Sequence, residues 1–143
     1  MTAVTVRSFV DTNVLVYADE GADPQKRAAA VDLIETHLRA RSGVISTQVL
    51  QEFVSVSLRK LRLPVDLIQD RLRLYGRFEL VPASAALVSD AVELHAKNRI
   101  SFWDALIVQA AYQSGCVQLL TEDLQAGAII SGVRIVNPFA APG

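Results

Sequence analysis

The sequence predicts an α/β fold, a three-layer α/β/α sandwich with a mostly parallel sheet of about five strands. Short runs of β-branched and other apolar residues alternate with longer stretches whose apolar residues recur at helical spacing. No linker, low-complexity tract or internal repeat interrupts the 143 residues. The composition is 51% hydrophobic and 20% charged, which is typical of a folded domain with a sizeable core. Residues 1–143 are therefore expected to form a single domain.

The predicted strands are short apolar runs bounded by turn residues. In chain order they cover residues 4–10, 44–45, 79–81, 117–120 and 133–136. Helical patterns separate the first four strands, and crossovers of that kind join parallel strands. These strands are therefore expected to lie side by side and to point the same way.

The helices are predicted from caps at their starts and breakers at their ends. They begin at Asp23-Pro24, at Ser46 or Thr47, at Pro64, at Ser84 and at Ser101. Ser42-Gly43, Gly76 and Gly115 are expected to end three of them. The second helix is expected to bury one stripe, Leu50, Val54, Leu58 and Leu61, which is widened by Val49, Phe53 and Val56.

Four acids lie in apolar surroundings where predicted elements begin or end: Asp11, Glu52, Asp104 and Asp123. Two of them follow predicted strands, and the other two lie near the starts of predicted helices. Sites in parallel sheets form beyond the carboxyl ends of the strands, so the four side chains are expected to converge there. A buried carboxylate needs a partner, a proton or a metal ion.

Each acid taken alone also has a structural explanation. Asp11 could form a turn with its own backbone, and Glu52 could face solvent on its helix. Asp104 follows Ser101 by three residues, which is the spacing of a capping box. Asp123 could belong to an ordinary turn. The joint pattern is more specific than any of its members.

A carboxylate cluster suits hard cations such as Mg²⁺ or Mn²⁺, which prefer oxygen ligands. Such an ion can activate water and stabilise the charge that develops on a phosphate. The residue patterns that a Ser or Cys nucleophile or a nucleotide-binding loop would need are absent from the sequence. The two histidines, His37 and His95, have no Ser or Cys partner at a recognisable spacing, and the single cysteine, Cys116, is expected to be a small core residue. Neither a P-loop nor a dinucleotide-binding glycine motif is present.

The chain resembles the PIN-domain family, and most closely the VapC-type toxins of bacterial and archaeal toxin–antitoxin pairs. The resemblance covers nearly the whole length and rests on four acidic motifs. They read Val10-Asp11-Thr12-Asn13-Val14-Leu15, Gln51-Glu52-Phe53, Ser101-Phe102-Trp103-Asp104-Ala105-Leu106 and Thr121-Glu122-Asp123-Leu124. In the fourth motif two acids are adjacent, and the family pattern favours Asp123 over Glu122.

The resemblance implies an α/β/α sandwich with Mg²⁺-dependent ribonuclease activity, a homodimer, and an antitoxin protein as partner. By the same resemblance Asp11 and Asp104 are the main metal ligands. Glu52 and Asp123 complete the acidic pocket, directly or through water, and all four acids are implied to be catalytic residues. Thr12, Asn13 and Thr121 support the site by orienting ligands, water or phosphate.

The formal net charge of −1 means that RNA binding needs local basic clusters or metal. A candidate RNA-binding rim lies between residues 59 and 77. Its members are Arg59, Lys60, Arg62, Arg71, Arg73 and Arg77, for which solvated helix faces are the alternative interpretation. Phe102 and Trp103 are expected to pack beneath the site rather than to stack on a base.

Two other functions remain open at this point. One is a metal-dependent phosphohydrolase or phosphotransferase with Asp11 as nucleophile, although Asn13 stands where a second Asp would act as general acid. The other is a non-catalytic binding module with the PIN fold. One cysteine excludes an intrachain disulfide, and no apolar run approaches the ~20 residues of a membrane span. We therefore expect a cytoplasmic protein with no membrane partner.

Overall fold

The computed structural model of the protein describes residues 5–140. Its strands are β1 (Ser8–Val10), β2 (Gly43–Ser46), β3 (Glu79–Val81), β4 (Gln118–Leu120), β5 (Ile129–Ile130) and β6 (Val133–Val136). Its helices are α1 (Thr12–Tyr17), α2 (Pro24–Ala40), α3 (Thr47–Arg59), α4 (Val65–Tyr75), α5 (Ala85–Asn98) and α6 (Phe102–Gln113). The strands form one sheet in the order β3-β2-β1-β4-β6-β5. Every pairing is parallel except that of β5 with β6.

The predicted α/β architecture is confirmed, with helices in two sets about the sheet. Helix α5 packs against α6, which contacts β2, β4 and β6. The other four helices form the second set, in which α1 contacts α2 and α3, and α3 contacts α4. The core contains apolar residues of both helix sets and of the central strands. This sandwich leaves the two ends of the parallel strands as the places where loops meet.

Strands β1 and β5 and helix α1 differ from the sequence prediction. Strand β5 adds a sixth strand, but two residues are too few to show a pattern. Helix α1 follows β1 directly, although its Val14 and Val16 favour a strand by their branching. Val4, the start of the predicted first strand, lies outside the described residues, and Val6 precedes β1 instead of belonging to it.

Four of the five predicted helix starts are confirmed by side-chain caps, and α4 begins directly after Pro64 without one. Asp23 accepts hydrogen bonds from the backbone N–H groups of Gln25 and Lys26, each at 3.1 Å, with Pro24 opening α2. Ser46, Ser84 and Ser101 each cap a helix by accepting from the backbone N–H group three residues later. These side chains satisfy donors that the first turn of a helix leaves without partners.

The predicted buried stripe of α3 is confirmed in part. Val49 and Phe53 are buried, and Leu50, Val54, Val56 and Leu61 are partly buried against the core, but Leu58 is 48% exposed. Together with Leu72, Leu50, Val54 and Leu58 also line a shallow apolar groove between α3 and α4. Two apolar faces of one helix have the same four-residue spacing, so the pattern alone does not tell which of them meets the sheet.

A partly buried ion pair joins Asp19, which follows α1, to Arg71 of α4. The guanidinium of Arg71 donates to both carboxylate oxygens of Asp19 at 2.7–3.1 Å, and the Asp19 side chain is 6% exposed. Arg73 pairs with Asp70 on the helix surface. These two arginines of the predicted RNA rim therefore already have partners within the protein.

None of the helices within residues 5–140 combines the length and the apolar character needed to cross a bilayer.

Gly43→Ala tests how β2 fits the core. A Cβ atom at residue 43 would meet the buried ring of Phe78 and lie 3.2 Å from Cβ of His37. We expect a loss of about 1–3 kcal/mol in the free energy of unfolding, measured by urea titration, because the core has no room for the methyl group. Gly21→Ala is the matched control, since nothing lies within 4 Å of its Cβ position. Equal stability of the two variants would contradict this close packing.

Candidate active site

The register between β1 and β4 brings two polar residues together at the carboxyl end of the sheet. Val10 pairs with Leu120, so the next residues, Asp11 and Thr121, are neighbours. The backbone N–H of Asp11 donates to the carbonyl of Leu120 at 3.1 Å, which continues the ladder by one step. The Thr121 hydroxyl donates to Oδ2 of Asp11 at 2.7 Å. The pairing of two strands thus fixes the position of the first acid.

The hydroxyl of Thr121 uses its full hydrogen-bonding capacity. Besides donating to Asp11, it accepts from Nδ2 of Asn13 at 3.2 Å and from the backbone N–H of Asp123 at 3.1 Å. A hydroxyl has one donor and two acceptor positions, and all three are filled here. Thr121 is completely buried. It lies beneath the site and connects the first acidic motif to the fourth.

Asp11 is a buried carboxylate with a raised pKa. The side chain is 7% exposed, and its Oδ1 accepts from the backbone N–H of Thr12 at 2.7 Å. Burial raises the pKa of Asp11 to about 6, and the hydrogen bonds from Thr121 and Thr12 partly oppose that shift. The charges of Asp123 and Glu52 raise the pKa further. The neighbouring acids therefore make ionisation of Asp11 harder in the metal-free protein.

Thr12 ties the second acid to the first. Its hydroxyl donates to Oε1 of Glu52 at 2.8 Å, while its backbone N–H holds Asp11. Glu52 lies on α3, and α1 and α3 are in contact. One residue at the start of α1 therefore sets the spacing between two carboxylates that come from different elements.

Asp104 occupies the first turn of α6. Its backbone N–H donates to the Ser101 hydroxyl at 3.0 Å, which is one half of the predicted capping box. Within residues 5–140 the Asp104 carboxylate accepts no hydrogen bond, so the reciprocal half of the box does not form. The half-buried carboxylate lines the same pocket as the other acids.

All four predicted acids line one pocket of about 480 Å³, together with Thr12 and Asn13. Asp123 is exposed at its edge, whereas Asp11 is buried at its base. The oxygen Oδ1 of Asn13 is buried and has no hydrogen-bond partner among the described residues. The structure thus brings together six of the seven predicted site residues at the pocket surface and places the seventh, Thr121, directly below them. Their chemical roles stay predictions.

Glu122, the adjacent acid of the fourth motif, also lines this pocket, but its carboxylate is bound to other side chains. Its Oε2 accepts from Nζ of Lys26 at 3.0 Å, and its Oε1 accepts from the hydroxyl of Tyr17. Nζ of Lys26 also donates to the Tyr17 hydroxyl at 3.2 Å. Both carboxylate oxygens of Glu122 are therefore engaged, which leaves Asp123 as the acid without such a partner in this motif.

Helix α3 contributes pocket residues that the sequence analysis did not assign to the site. Gln48, Ser55 and Arg59 line the pocket beside Glu52. They stand four residues before it and three and seven residues after it, which places all of them on one helix face. Helical periodicity applied to the polar residues around Glu52 would have found them.

The predicted RNA rim divides into separate places. Arg59 and Lys60 line the acidic pocket, and Nζ of Lys60 lies 4.0 Å from Glu20. Arg62 is exposed in the turn before α4. Arg77 lines a different cavity at the amino end of the sheet. The members of the rim therefore do not line one cavity, and contact of any of them with RNA stays a prediction.

Trp103 corrects a further expectation. Its side chain is 63% exposed and lines the acidic pocket, while Phe102 is partly buried against the core. The two rings meet edge to face with centroids 5.4 Å apart. Adjacent helix residues point in different directions, so only one of the two could pack inward.

The donor atoms of the pocket suit a hard cation, since the acids offer only oxygens. Among residues 5–140, however, no three His, Cys, Asp or Glu side chains stand close enough together to form a ready-made coordination shell. Mg²⁺ is commonly held by one or two carboxylates, with water and substrate phosphate as its other ligands. By its chemistry the pocket therefore fits a magnesium ion that brings part of its own shell.

Comparison with solved structures shows the same fold in toxin–antitoxin proteins. A toxin–antitoxin complex from Klebsiella pneumoniae matches with a TM-score of 0.69 at 23% identity, over 94% of this chain and 99% of that chain. VapC20 from Mycobacterium tuberculosis, a sarcin–ricin loop cleaving toxin, gives 0.65 at 21% identity, over 81% and 91%. VapBC2 from Rickettsia felis, bound to a promoter DNA fragment, gives 0.64 at 22% identity, over 90% and 96%. At these identities the likeness shows the fold.

No curated protein matches the chain by sequence. The family model of the PIN domain matches residues 8–129. That span runs from β1 to β5 and includes all four acids of the pocket. The chain belongs to the PIN domain family.

Proposed function

We propose that this protein is a metal-dependent endoribonuclease and the toxin of a toxin–antitoxin pair. The observation that carries the proposal is the meeting of Asp11, Glu52, Asp104 and Asp123 in one pocket of a PIN domain. The similar structures support it, because they include a sarcin–ricin loop cleaving toxin and toxin–antitoxin complexes. RNA is the proposed substrate, and hydrolysis of a phosphodiester bond is the proposed reaction.

In this proposal Asp11 and Asp104 hold a Mg²⁺ ion, with Mn²⁺ as a substitute. When bound, the metal supplies charge for the phosphate oxygens and lowers the pKa of water. Glu52 and Asp123 complete the acidic pocket and orient the attacking water or accept its proton. A cation would also favour the charged form of Asp11, whose pKa is raised mainly by burial and further by the charges of Asp123 and Glu52.

Three polar residues hold this arrangement in place. Thr121 and Thr12 fix the two oxygens of Asp11, and Thr12 also positions Glu52. The unpartnered Oδ1 of Asn13 is the acceptor that a bound water or ligand would satisfy. These are positioning roles, since Thr121 lies below the pocket surface and acts through Asp11.

RNA phosphates need positive charge near the acids. Arg59 and Lys60 supply it on one wall of the pocket, and Arg59 forms no ion pair within residues 5–140. The exposed ring of Trp103 lies on the same pocket and offers a surface for a base to stack on. Cations beside carboxylates let the site attract a polyanion without a globally basic protein.

The antitoxin partner is proposed to dock in the apolar groove of Leu50, Val54, Leu58 and Leu72. A groove between two helices is a common receptor for an amphipathic helix. Ser55 and Arg59 line both this groove and the acidic pocket. A peptide in the groove would therefore lie next to the site that it has to block. We also propose the homodimer implied by the family, which sedimentation velocity would measure.

A phosphotransferase with Asp11 as nucleophile is the weaker alternative. Asn13 donates its amide to Thr121 and has no proton of the acidity that a leaving alcohol requires. Transfer of label from a phosphate donor to Asp11 would favour the alternative over the nuclease.

Asp11→Asn tests the proposed site. We expect loss of at least about 100-fold in the cleavage rate of an RNA oligomer with Mg²⁺, because the variant removes a metal-binding charge. EDTA should abolish cleavage by the wild-type protein, and Mn²⁺ should restore it. Asp90→Asn, on the exposed face of α5, is the control. Full activity of Asp11→Asn, or cleavage in EDTA, would disprove the mechanism.

The same variant has a stability readout. The pKa of Asp11 is about 6 in the folded protein against an ordinary 3.8. The folded state thus binds this proton more tightly, and its stability falls as the pH rises from about 4 to about 6. In EDTA, Asp11→Asn should gain up to about 3 kcal/mol relative to wild type between about pH 4 and pH 7.5, measured by urea unfolding. A pH-independent difference would contradict the raised pKa.

Arg59→Gln tests the positive wall. Because Arg59 would contact a phosphate, we expect about a tenfold lower kcat/KM for RNA and a salt dependence reduced by about one counterion. Arg62→Gln is the matched control, since it removes the same charge from an exposed turn outside the pocket. Equal effects of the two variants would show that only net charge matters.

Leu58→Asp tests the groove. A carboxylate at this position should abolish copurification with the product of a small open reading frame adjacent to the gene, because burying an unpaired charge is costly. Ile129→Asp, on the exposed side of β5, is the control and should leave copurification unchanged. Undiminished capture by Leu58→Asp, with native circular dichroism, would place the partner elsewhere.

A further inference from the structure

A second cavity lies at the amino end of the sheet and is lined by three arginines. Arg7 directly precedes β1, while Arg41 and Arg77 each stand two residues before β2 and β3. These three strands are parallel neighbours, with Ser8 paired to Gly43 and Val44 paired to Glu79. Residues that precede them therefore gather at one edge, and together with His37 the three arginines line a cavity of about 490 Å³. We call it the arginine pocket.

The arginine pocket carries a surplus of positive charge. Its only acidic lining residue is Glu79, which pairs with Arg7. Arg41 and Arg77 form no ion pair with any residue in the 5–140 range. Like charges that share a concave surface raise the local concentration of anions. The pocket shares no lining residue with the acidic pocket, so its chemistry is independent of the proposed nuclease site.

Part of the arginine pocket is rigid. Nε of Arg7 donates to the carbonyl of Ser114 at 2.7 Å, which fixes the plane of its guanidinium. His37 is 7% exposed, and its Nδ1 lies 2.7 Å from the Ser42 hydroxyl, so Nε2 is the nitrogen left for another partner. Gly43 lets the ring of Phe78 pack against the strand backbone beside His37. His37 and Arg7 are thus held in place by hydrogen bonds within the pocket, whereas Arg41 and Arg77 are exposed.

We propose that the arginine pocket binds a phosphoryl group of a nucleotide-sized ligand. A guanidinium offers two parallel N–H donors that match the oxygens of phosphate, and Arg41 and Arg77 line this pocket without an ion pair among residues 5–140, while Arg7 is held by Glu79 and Ser114. The volume lies within the range of sites for small organic ligands. Leu38 adds an apolar wall for the rest of the ligand. The phosphoryl group comes from a free phosphorylated molecule or from an RNA backbone, and the experiment distinguishes these two sources.

Calorimetric titration tests the site with three probes, which are pyrophosphate, AMP and a short RNA oligomer, all in EDTA. The test variant is Arg41→Gln with Arg77→Gln, and both side chains are exposed. We expect its affinity for pyrophosphate to fall by about tenfold or more, since two charge-assisted contacts are lost. Glu79→Gln should act in the opposite direction and raise the affinity about two- to fivefold, because it frees Arg7.

The matched control is Arg99→Gln with Arg134→Gln, which removes the same charge from exposed sites outside the pocket. Arg99 ends α5 with the same left-handed φ of 55° with which Arg41 ends α2, so the two substitutions carry the same backbone cost. This control should keep the wild-type affinity within about twofold. Shifts of the His37 ring signals on adding pyrophosphate would locate the ligand by NMR.

The outcomes separate clearly. Loss of pyrophosphate and AMP binding in the test variant alone supports a free phosphorylated ligand. Loss of RNA binding alone supports the backbone as the source. Absence of millimolar binding of every probe to the wild type, or equal losses in test and control variants, overturns the proposal. Native circular dichroism of each variant, and the gain expected for Glu79→Gln, keep the result independent of folding defects.

Discussion

The parallel register of β3, β2, β1 and β4 is the constraint on which both pockets depend. Strands that run the same way place the residues after them at one edge and the residues before them at the other. In this chain acids follow β1 and β4, whereas arginines precede β1, β2 and β3. A slip by one residue between β1 and β4 would separate Asp11 from Thr121. It would also turn every side chain of the shifted strand to the opposite face of the sheet. The core packing that fixes this register therefore also places the acids at one edge of the sheet and the arginines at the other.

The fold holds several carboxylates in one pocket at the carboxyl edge of the sheet, where ionisation of Asp11 is unfavourable. Asp11 is buried, and two neighbouring carboxylates act against its ionisation. The Thr121 hydroxyl opposes that cost with a hydrogen bond, and its two remaining positions bind Asn13 and the backbone of Asp123. The site is thus arranged before any ligand arrives, and a cation would relieve strain rather than create order.

Much of this could be predicted from the sequence, and the failures have physical causes. β3 and β6 begin and end at the residues predicted from their short apolar runs, and Ser84 and Ser101 cap the helices predicted to begin there. α1 was missed because its branched residues favour strands locally, while capping by Asp11 and burial in the core decide otherwise. The four acids could be named from their apolar surroundings. The pocket wall of α3 had a usable signal in the helical spacing of polar residues around Glu52, whereas the pattern does not tell which apolar face of that helix meets the sheet.

Helix α3 is a shared wall, polar toward the acids and apolar toward the groove. Its attachment to α1 includes one hydrogen bond, from the Thr12 hydroxyl to Glu52. A ligand bound in the groove would contact the same helix that carries Glu52 on its other face. A small rotation of α3 about its axis would move the Glu52 carboxylate relative to Asp11, so the geometry of the groove and that of the acidic pocket are coupled.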